Sequence, residues 1–141
     1  MKFENHMILE FPSKSCNESF ARSAVACFAA QLDPTLEELA DIKTAVSEAV
    51  TNAIVHGYGH PEGIVTICCE LRHNHVTIEI EDAGCGIDDI ALATQPLYTQ
   101  SPDSERSGMG FTVMETFMDT MAVDSAPGQG TIVTLTKAFN R

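Results

Sequence analysis

Apolar residues recur along this chain with two different periods, and the order in which those periods alternate predicts the elements. Met7-Ile8-Leu9-Glu10-Phe11 is a short run closed by Pro12 and reads as a first strand on a sheet edge, where proline is tolerated. An exposed edge of that kind is open to pairing with a second subunit. Ser15 and Glu18 have capping-box spacing and predict a helix with Phe20, Ala24, Cys27, Phe28 and Leu32 as its core stripe. Asp33-Pro34 stops it. The next helix opens either at Asp33, with Pro34 in its first position, or at Thr35, with Glu38 completing a capping box. Its stripe is Leu36, Leu39, Ile42, Val46, Val50 and Ala53.

Residues 57 to 63 form a loop by composition. Ile64 to Leu71 and His75 to Glu81 then alternate as strands and are joined by Arg72-His73-Asn74, a hairpin signal. Asp88 to Ser107 carries few large apolar residues and two prolines, predicting a short helix and then a mobile loop. A helix from about Met109 to Met121 follows, then strands at Met121 to Ser125 and Thr131 to Ala138 around Pro127-Gly128-Gln129-Gly130. The expected architecture is α+β: a two-layer α/β sandwich whose mostly antiparallel mixed sheet carries helices on one face, in one domain spanning residues 1–141.

Charge narrows the functions available. Eight Lys and Arg against twenty Asp and Glu give a net charge of −12. Such a field repels nucleic acid and anionic membrane, so neither is expected as a direct partner. An anionic ligand would need Mg²⁺, backbone N–H groups or a placed arginine. Between Arg72 and Lys137 the sole positive charge is Arg106. Five cysteines (Cys16, Cys27, Cys68, Cys69 and Cys85) have no C-x-x-C spacing, which suggests neither a disulfide framework nor a zinc site and points to a reducing compartment. No apolar run reaches the roughly 20 residues of a bilayer span, and no signal-peptide pattern opens the chain, so the expected location is cytoplasmic.

Three segments carry candidate chemistry. Thr44, Glu48, Asn52 and His56 follow at i, i+4 intervals and form one polar line on a helix. Glu48 suits a general base and Asn52 a neutral Mg²⁺ ligand, although a solvated helix face has the same pattern. Asp82 keeps the parity of Val76, Ile78 and Ile80, so a regular strand turns its carboxylate toward the core, where a donor such as an adenine amino group would suit it. Gly84 and Gly86 permit positive φ and a close approach to a flat base; an ordinary turn after a strand reads the same way. Gly108-Met109-Gly110 precedes an apolar-periodic segment and fits a helix N-terminus able to hold phosphate, with Arg106 two residues before it. Thr131 has inward parity with Val133 and Leu135, placing its hydroxyl where it can help hold a base.

In order and spacing, Glu48-Ala49-Val50-Thr51-Asn52-Ala53, Asp82-Ala83-Gly84-Cys85-Gly86 and Arg106-Ser107-Gly108-Met109-Gly110-Phe111 resemble the N, G1 and G2 boxes of the ATPase superfamily that includes gyrase, heat-shock chaperones, histidine kinases and mismatch-repair proteins. The resemblance narrows to the anti-sigma factor serine kinases, the anti-sigma-F group of endospore-forming bacteria above all, through residues 17–22, 31–35, 48–58 and 105–111. It implies ATP held between a helix layer and a mobile lid, and an ATP- and Mg²⁺-dependent protein serine kinase. It further implies a homodimer, formed through the strand at Met7 to Phe11, that sequesters the sporulation sigma-F factor and phosphorylates a serine of an anti-anti-sigma partner. By the same resemblance Glu48 is the general base and Asn52 the Mg²⁺ ligand, Asp82, Gly86 and Thr131 hold adenine, and Arg106, Gly108 and Gly110 contact the phosphates. His56, Gly84, Ser107, Met109 and Phe111 fall within the same nucleotide site. Arg22 is implied as a docking residue for both partners, against the plainer reading of an i, i+4 pair with Glu18. The alternatives are a stress-response anti-sigma kinase with a different sigma target and a non-catalytic ATP-gated binding module.

Overall fold

Alternation of buried and exposed positions sets five strands side by side. The computed structural model describes residues 4–58, 62–86 and 110–139, side chains from 56 to 58 excepted. Strands β1 (Glu4–Pro12), β2 (Ile64–Arg72), β3 (His75–Asp82), β4 (Thr120–Ser125) and β5 (Thr131–Ala138) form one sheet in the order β1-β2-β3-β5-β4. Every described pairing is antiparallel. The β1 strand is an edge, as its Pro12 required, and it starts three residues before Met7, at Glu4. Beyond Pro12 the pairing is prolonged by Ser13, whose N–H donates to the Gly63 carbonyl and whose Oγ accepts from the Gly63 N–H, each at 2.9 Å.

One face of the sheet is apolar. Val65, Ile67, Cys69 and Leu71 on β2, Val76, Ile78 and Ile80 on β3, and Val133 and Leu135 on β5 are buried under helices α1 (Asn17–Ala29), α2 (Leu36–Asn52) and α3 (Gly110–Phe117). Helix α2 contacts both others and brings Ile42, Val46 and Val50 into the same core. On the open face, Thr66, Glu70, Glu79, Glu81 and Thr134 alternate with the core positions. Lys137 reaches inward: its ammonium donates to the Phe117 carbonyl at 2.9 Å and lies 3.6 Å from Asp41, joining the end of α3 to α2.

Several expectations need correction. Ser15 and Glu18 form no capping box: α1 has Cys16 at its N-cap with no side-chain cap, and Ser15 instead offers its carbonyl to the Glu18 N–H. The core stripe of α1 is Ala21, Val25, Ala26 and Ala29, while Phe20 is 54% exposed and Cys27 lies outward. Small side chains permit a close helix-to-helix approach, and that outweighs the larger area Phe20 would bury. In α2 the stripe holds from Ile42 onward, but Leu36, in the first turn, is 86% exposed. The open choice at the start of α2 falls to Thr35, which accepts from the Glu38 N–H at 3.0 Å while Glu38 accepts from the Thr35 N–H at 2.8 Å. Asp33, with φ of 55°, closes the preceding 3₁₀ turn Ala30–Leu32. Gly57 and Tyr58 belong to a π-turn, Ala53–Tyr58, instead of the expected loop. Helix α3 ends at Phe117, short of Met121, because the chain re-enters the sheet at Thr120. The short helix and loop expected at residues 88–107 lie outside the described residues.

Candidate functional site

The site is built at one end of the sheet. A single register row crosses the core face from Phe11 to Val65, Asp82, Thr131 and Ser125. Its β1–β2 half is apolar and its β3–β5–β4 half polar. Asp82 and Thr131 are only 6% and 9% exposed, confirming the parity argument for both. Burial pushes the Asp82 carboxyl above its ordinary value of 3.8; a hydrogen bond from the Gly84 N–H to Oδ1, at 2.9 Å, works in the opposite direction, and the charge of Glu81 adds a small upward push. A carboxylate so placed favours a ligand that donates to it.

The turn after Asp82 rests on the β4–β5 connection. Gly86 has φ of 75°, and a β-carbon there would fall 2.0 Å from the Ala126 carbonyl oxygen, so both the conformation and the contact require glycine. Gly84 does not use positive φ; its role is the N–H donated to Asp82. The Gly128 N–H donates to the Cys85 carbonyl at 2.6 Å. A β-carbon on Gly130 would lie 2.2 Å from the Asp82 carbonyl oxygen. Ser125 completes the end of the row: its Oγ donates to the Gly130 carbonyl at 2.7 Å and lies 2.9 Å from Thr131 Oγ1. The sequence reading missed Ser125 and this buttress. The available signal was the inward parity of Ser125 with Met121 and Val123, the same argument that singled out Asp82.

Glu48 and Asn52 occupy the last turns of α2, both partly buried, where the helix gives way to the π-turn carrying His56. That turn contacts β3, and α2 contacts α3. The strand of Asp82 is thus linked through the π-turn to the helix of Glu48 and Asn52, which in turn packs on the helix beginning at the buried Gly110 and half-buried Phe111. Arg106, Ser107, Gly108 and Met109 lie outside the described residues. Arg22 belongs to another surface: on α1 it stands 3.6 Å from Glu18, whose Oε2 is inaccessible and accepts no hydrogen bond. Among the described residues no group of three or more His, Cys, Asp or Glu forms a preassembled metal cluster, and no helix is long and apolar enough to cross a membrane.

An antiparallel five-stranded sheet with helices on one face, a buried Asp at the end of its third strand and that strand in contact with the π-turn after α2, is the arrangement of a histidine kinase-like ATPase domain, and the model of that family matches residues 11–137. The likeness is closer still to one branch: the anti-sigma F factors of Thermoanaerobacter sp. (strain X514) and Clostridium beijerinckii are 61% and 62% identical over 137 and 138 residues, each alignment covering 97% of this chain and 96% of the relative. That of Caldanaerobacter subterraneus is 59% identical over all 141 residues, covering 99% of the relative. The chain belongs to the anti-sigma F factor family, within the histidine kinase-like ATPase domains. Among solved structures, the RsbU and RsbW domains of a Mycobacterium tuberculosis protein superpose with a TM-score of 0.68 at 19% identity, over 97% of this chain and 32% of that one. The histidine kinase domain of an Erythrobacter litoralis blue-light activated kinase gives 0.55 at 18% identity, over 86% of this chain and 61% of that one. These two similarities concern the fold. An ATPase domain of this family implies ATP binding.

Proposed function

We propose that this protein is an ATP-dependent serine kinase that also sequesters a sigma factor. The observation that supports the reading best is the buried Asp82 opposite Thr131, on the strand that contacts the π-turn following Glu48 and Asn52. Asp82 accepts the adenine amino group, Gly86 lets the backbone lie close to the base, and Thr131 lines its edge. Glu48 accepts the proton of the attacking serine hydroxyl as the serine oxygen bonds to the terminal phosphorus and the bond from that phosphorus to the β–γ bridging oxygen breaks, releasing ADP; Arg106 offsets charge on the transferred group. Gly108 and Gly110 contribute backbone N–H groups toward phosphate. A neutral amide oxygen on α2 suits a hard cation that takes most of its remaining ligands from substrate phosphates and water. Mg²⁺ would be held through the Asn52 carbonyl oxygen and would neutralise phosphate charge.

The relatives' name supports a sigma-F factor as one partner; in this reading it is held by a homodimer paired along the exposed β1 edge, and an anti-anti-sigma protein is phosphorylated on a serine. Arg22, the sole cation of α1, docks both. The whole chain acts as one domain in the cytoplasm. The test is transfer from γ-labelled ATP with Mg²⁺ to the anti-anti-sigma protein of the same genome, alongside capture of the sigma factor. Label on a partner serine with ATP-dependent capture is expected. Capture without label would leave a nucleotide-gated clamp, and label without capture would point to a kinase with a different sigma target.

A further inference from the structure

The base-holding role of Asp82 and Thr131 leaves open how a hydroxyl, which can both donate and accept, helps select one purine. The row Asp82, Thr131, Ser125 contains an answer. Ser125 has one hydroxyl proton, and it is directed to the Gly130 carbonyl at 2.7 Å. The 2.9 Å contact between Ser125 Oγ and Thr131 Oγ1 must then be donated by Thr131. With its only proton engaged, Thr131 Oγ1 presents lone pairs alone, beside a carboxylate that can also only accept.

We infer that Ser125 is a specificity-determining positioning residue, which fixes the Thr131 hydroxyl as an acceptor and so makes this end of the sheet select a 6-aminopurine over a 6-oxopurine. The inference rests on the reading of Asp82 and Thr131 as the base site. An amino group donates to both residues. A purine carbonyl oxygen would meet only acceptors, and a buried polar group left without a partner is the costly outcome. The chain of hydroxyls is anchored on a rigid acceptor. Gly130 has φ of 78°, and a β-carbon on it would meet the Asp82 carbonyl oxygen at 2.2 Å, so its carbonyl is held in place by the same packing that closes the turn after Asp82. Ser125 is partly buried on the edge strand and pairs with Thr131 in the register, so its influence on the base through Thr131 is one of proton direction.

The test measures dissociation constants of ATP and ITP, whose base carries a carbonyl oxygen in place of the amino group, on the full chain with Mg²⁺. Wild type is expected to prefer ATP. In Ser125→Ala the Thr131 hydroxyl is free to turn and donate, so the ATP-to-ITP preference should fall roughly three- to tenfold, the size of one neutral hydrogen bond; Ser125→Thr, which keeps a hydroxyl, should restore it. If Ser125→Ala weakens both nucleotides by the same factor, its role is structural support and the inference fails. Asp82→Asn separates the two levels of the reading. If it collapses the preference while Ser125→Ala does not, the base site stands and only Ser125 is misassigned. If Asp82→Asn leaves the preference intact, the base site itself is elsewhere and the inference falls with it.

Discussion

Gly86 and Ala126 are packed so closely that a β-carbon on the first would lie 2.0 Å from the carbonyl oxygen of the second. They belong to different connections, the turn after β3 and the hairpin between β4 and β5, and this contact holds the Asp82 segment against the hairpin that ends in Gly130. Gly128, in the same hairpin, has nearly the same φ, 76° against 75°, but no atom lies within 4 Å of where its β-carbon would stand. The two positions therefore separate conformational strain from collision. Gly128→Ala should cost about 1–2 kcal/mol, the penalty of the left-handed region. Gly86→Ala should cost clearly more in urea denaturation and also weaken ATP, since the displaced turn carries Asp82. Equal losses at the two sites would show that the packing contact is unimportant.

Asp82 supplies a prediction with a definite sign. Burial raises its folded-state pKa above the unfolded value, so the folded protein holds the proton more tightly. Its contribution to stability is fully present below the unfolded pKa and is lost as pH rises through the folded one. Near neutral pH the apo protein carries the cost of a buried carboxylate, and Asp82→Asn should match or exceed wild type in urea stability. That advantage should shrink toward about pH 4, close to the ordinary aspartate value. ATP affinity of the same variant should drop by about 10- to 100-fold, the range of a hydrogen bond to a charged group. A variant that is less stable at neutral pH would contradict the assignment of the raised pKa to desolvation.

Two candidate caps, identical in spacing, have opposite fates. Thr35 and Glu38 exchange both capping hydrogen bonds, whereas Ser15 makes no side-chain cap and Glu18 is directed to Arg22. Thr35→Ala should cost about 1 kcal/mol. Ser15→Ala should be nearly neutral in the same denaturation measurement. A comparable loss from both would mean that α1 is capped in solution as its sequence suggests.

The outer stripe of α1 makes a similar contrast. Phe20 is 54% exposed and Ala21 is fully buried, although volume alone would reverse them. Phe20→Ser should change stability by less than about 0.5 kcal/mol, as surface substitutions do. Ala21→Leu should cost about 1–3 kcal/mol by overpacking between α1 and its neighbours. Thermal denaturation of the two variants checks the orientation of the helix directly.

These contrasts show where the sequence was readable. Strands with one buried face wrote their parity plainly: β2, β3 and β5 emerged within a residue of their expected bounds, and Asp82 and Thr131 were found because they keep the parity of apolar neighbours. The i, i+4 period likewise set Glu48 and Asn52 on one line of α2. What stayed hidden depended on distance between elements. Nothing local reveals that α1 approaches α2 through alanines, that Ser15 is out of position to cap, or that the β4–β5 hairpin docks on the turn after Asp82. Parity marked Ser125 as inward, but its role was concealed, since its partner Gly130 becomes meaningful only once that hairpin is closed.

Glu48 remains the residue on which the kinase reading depends most. It stands one turn before Asn52 near the end of α2, partly buried, beside the π-turn that contacts β3. A general base contributes about 10²–10⁴-fold to a rate, while a residue that only shapes the pocket alters binding instead. Glu48→Ala should therefore lower single-turnover transfer from ATP to the anti-anti-sigma serine by a factor in that range and leave the ATP dissociation constant within a few fold of wild type. Raising the pH should partly rescue the variant, because hydroxide can take the serine proton that the missing carboxylate would have accepted. Transfer at the wild-type rate would remove Glu48 from the chemistry. Loss of ATP binding in parallel with turnover would recast it as part of the nucleotide pocket, with proton acceptance assigned to another group.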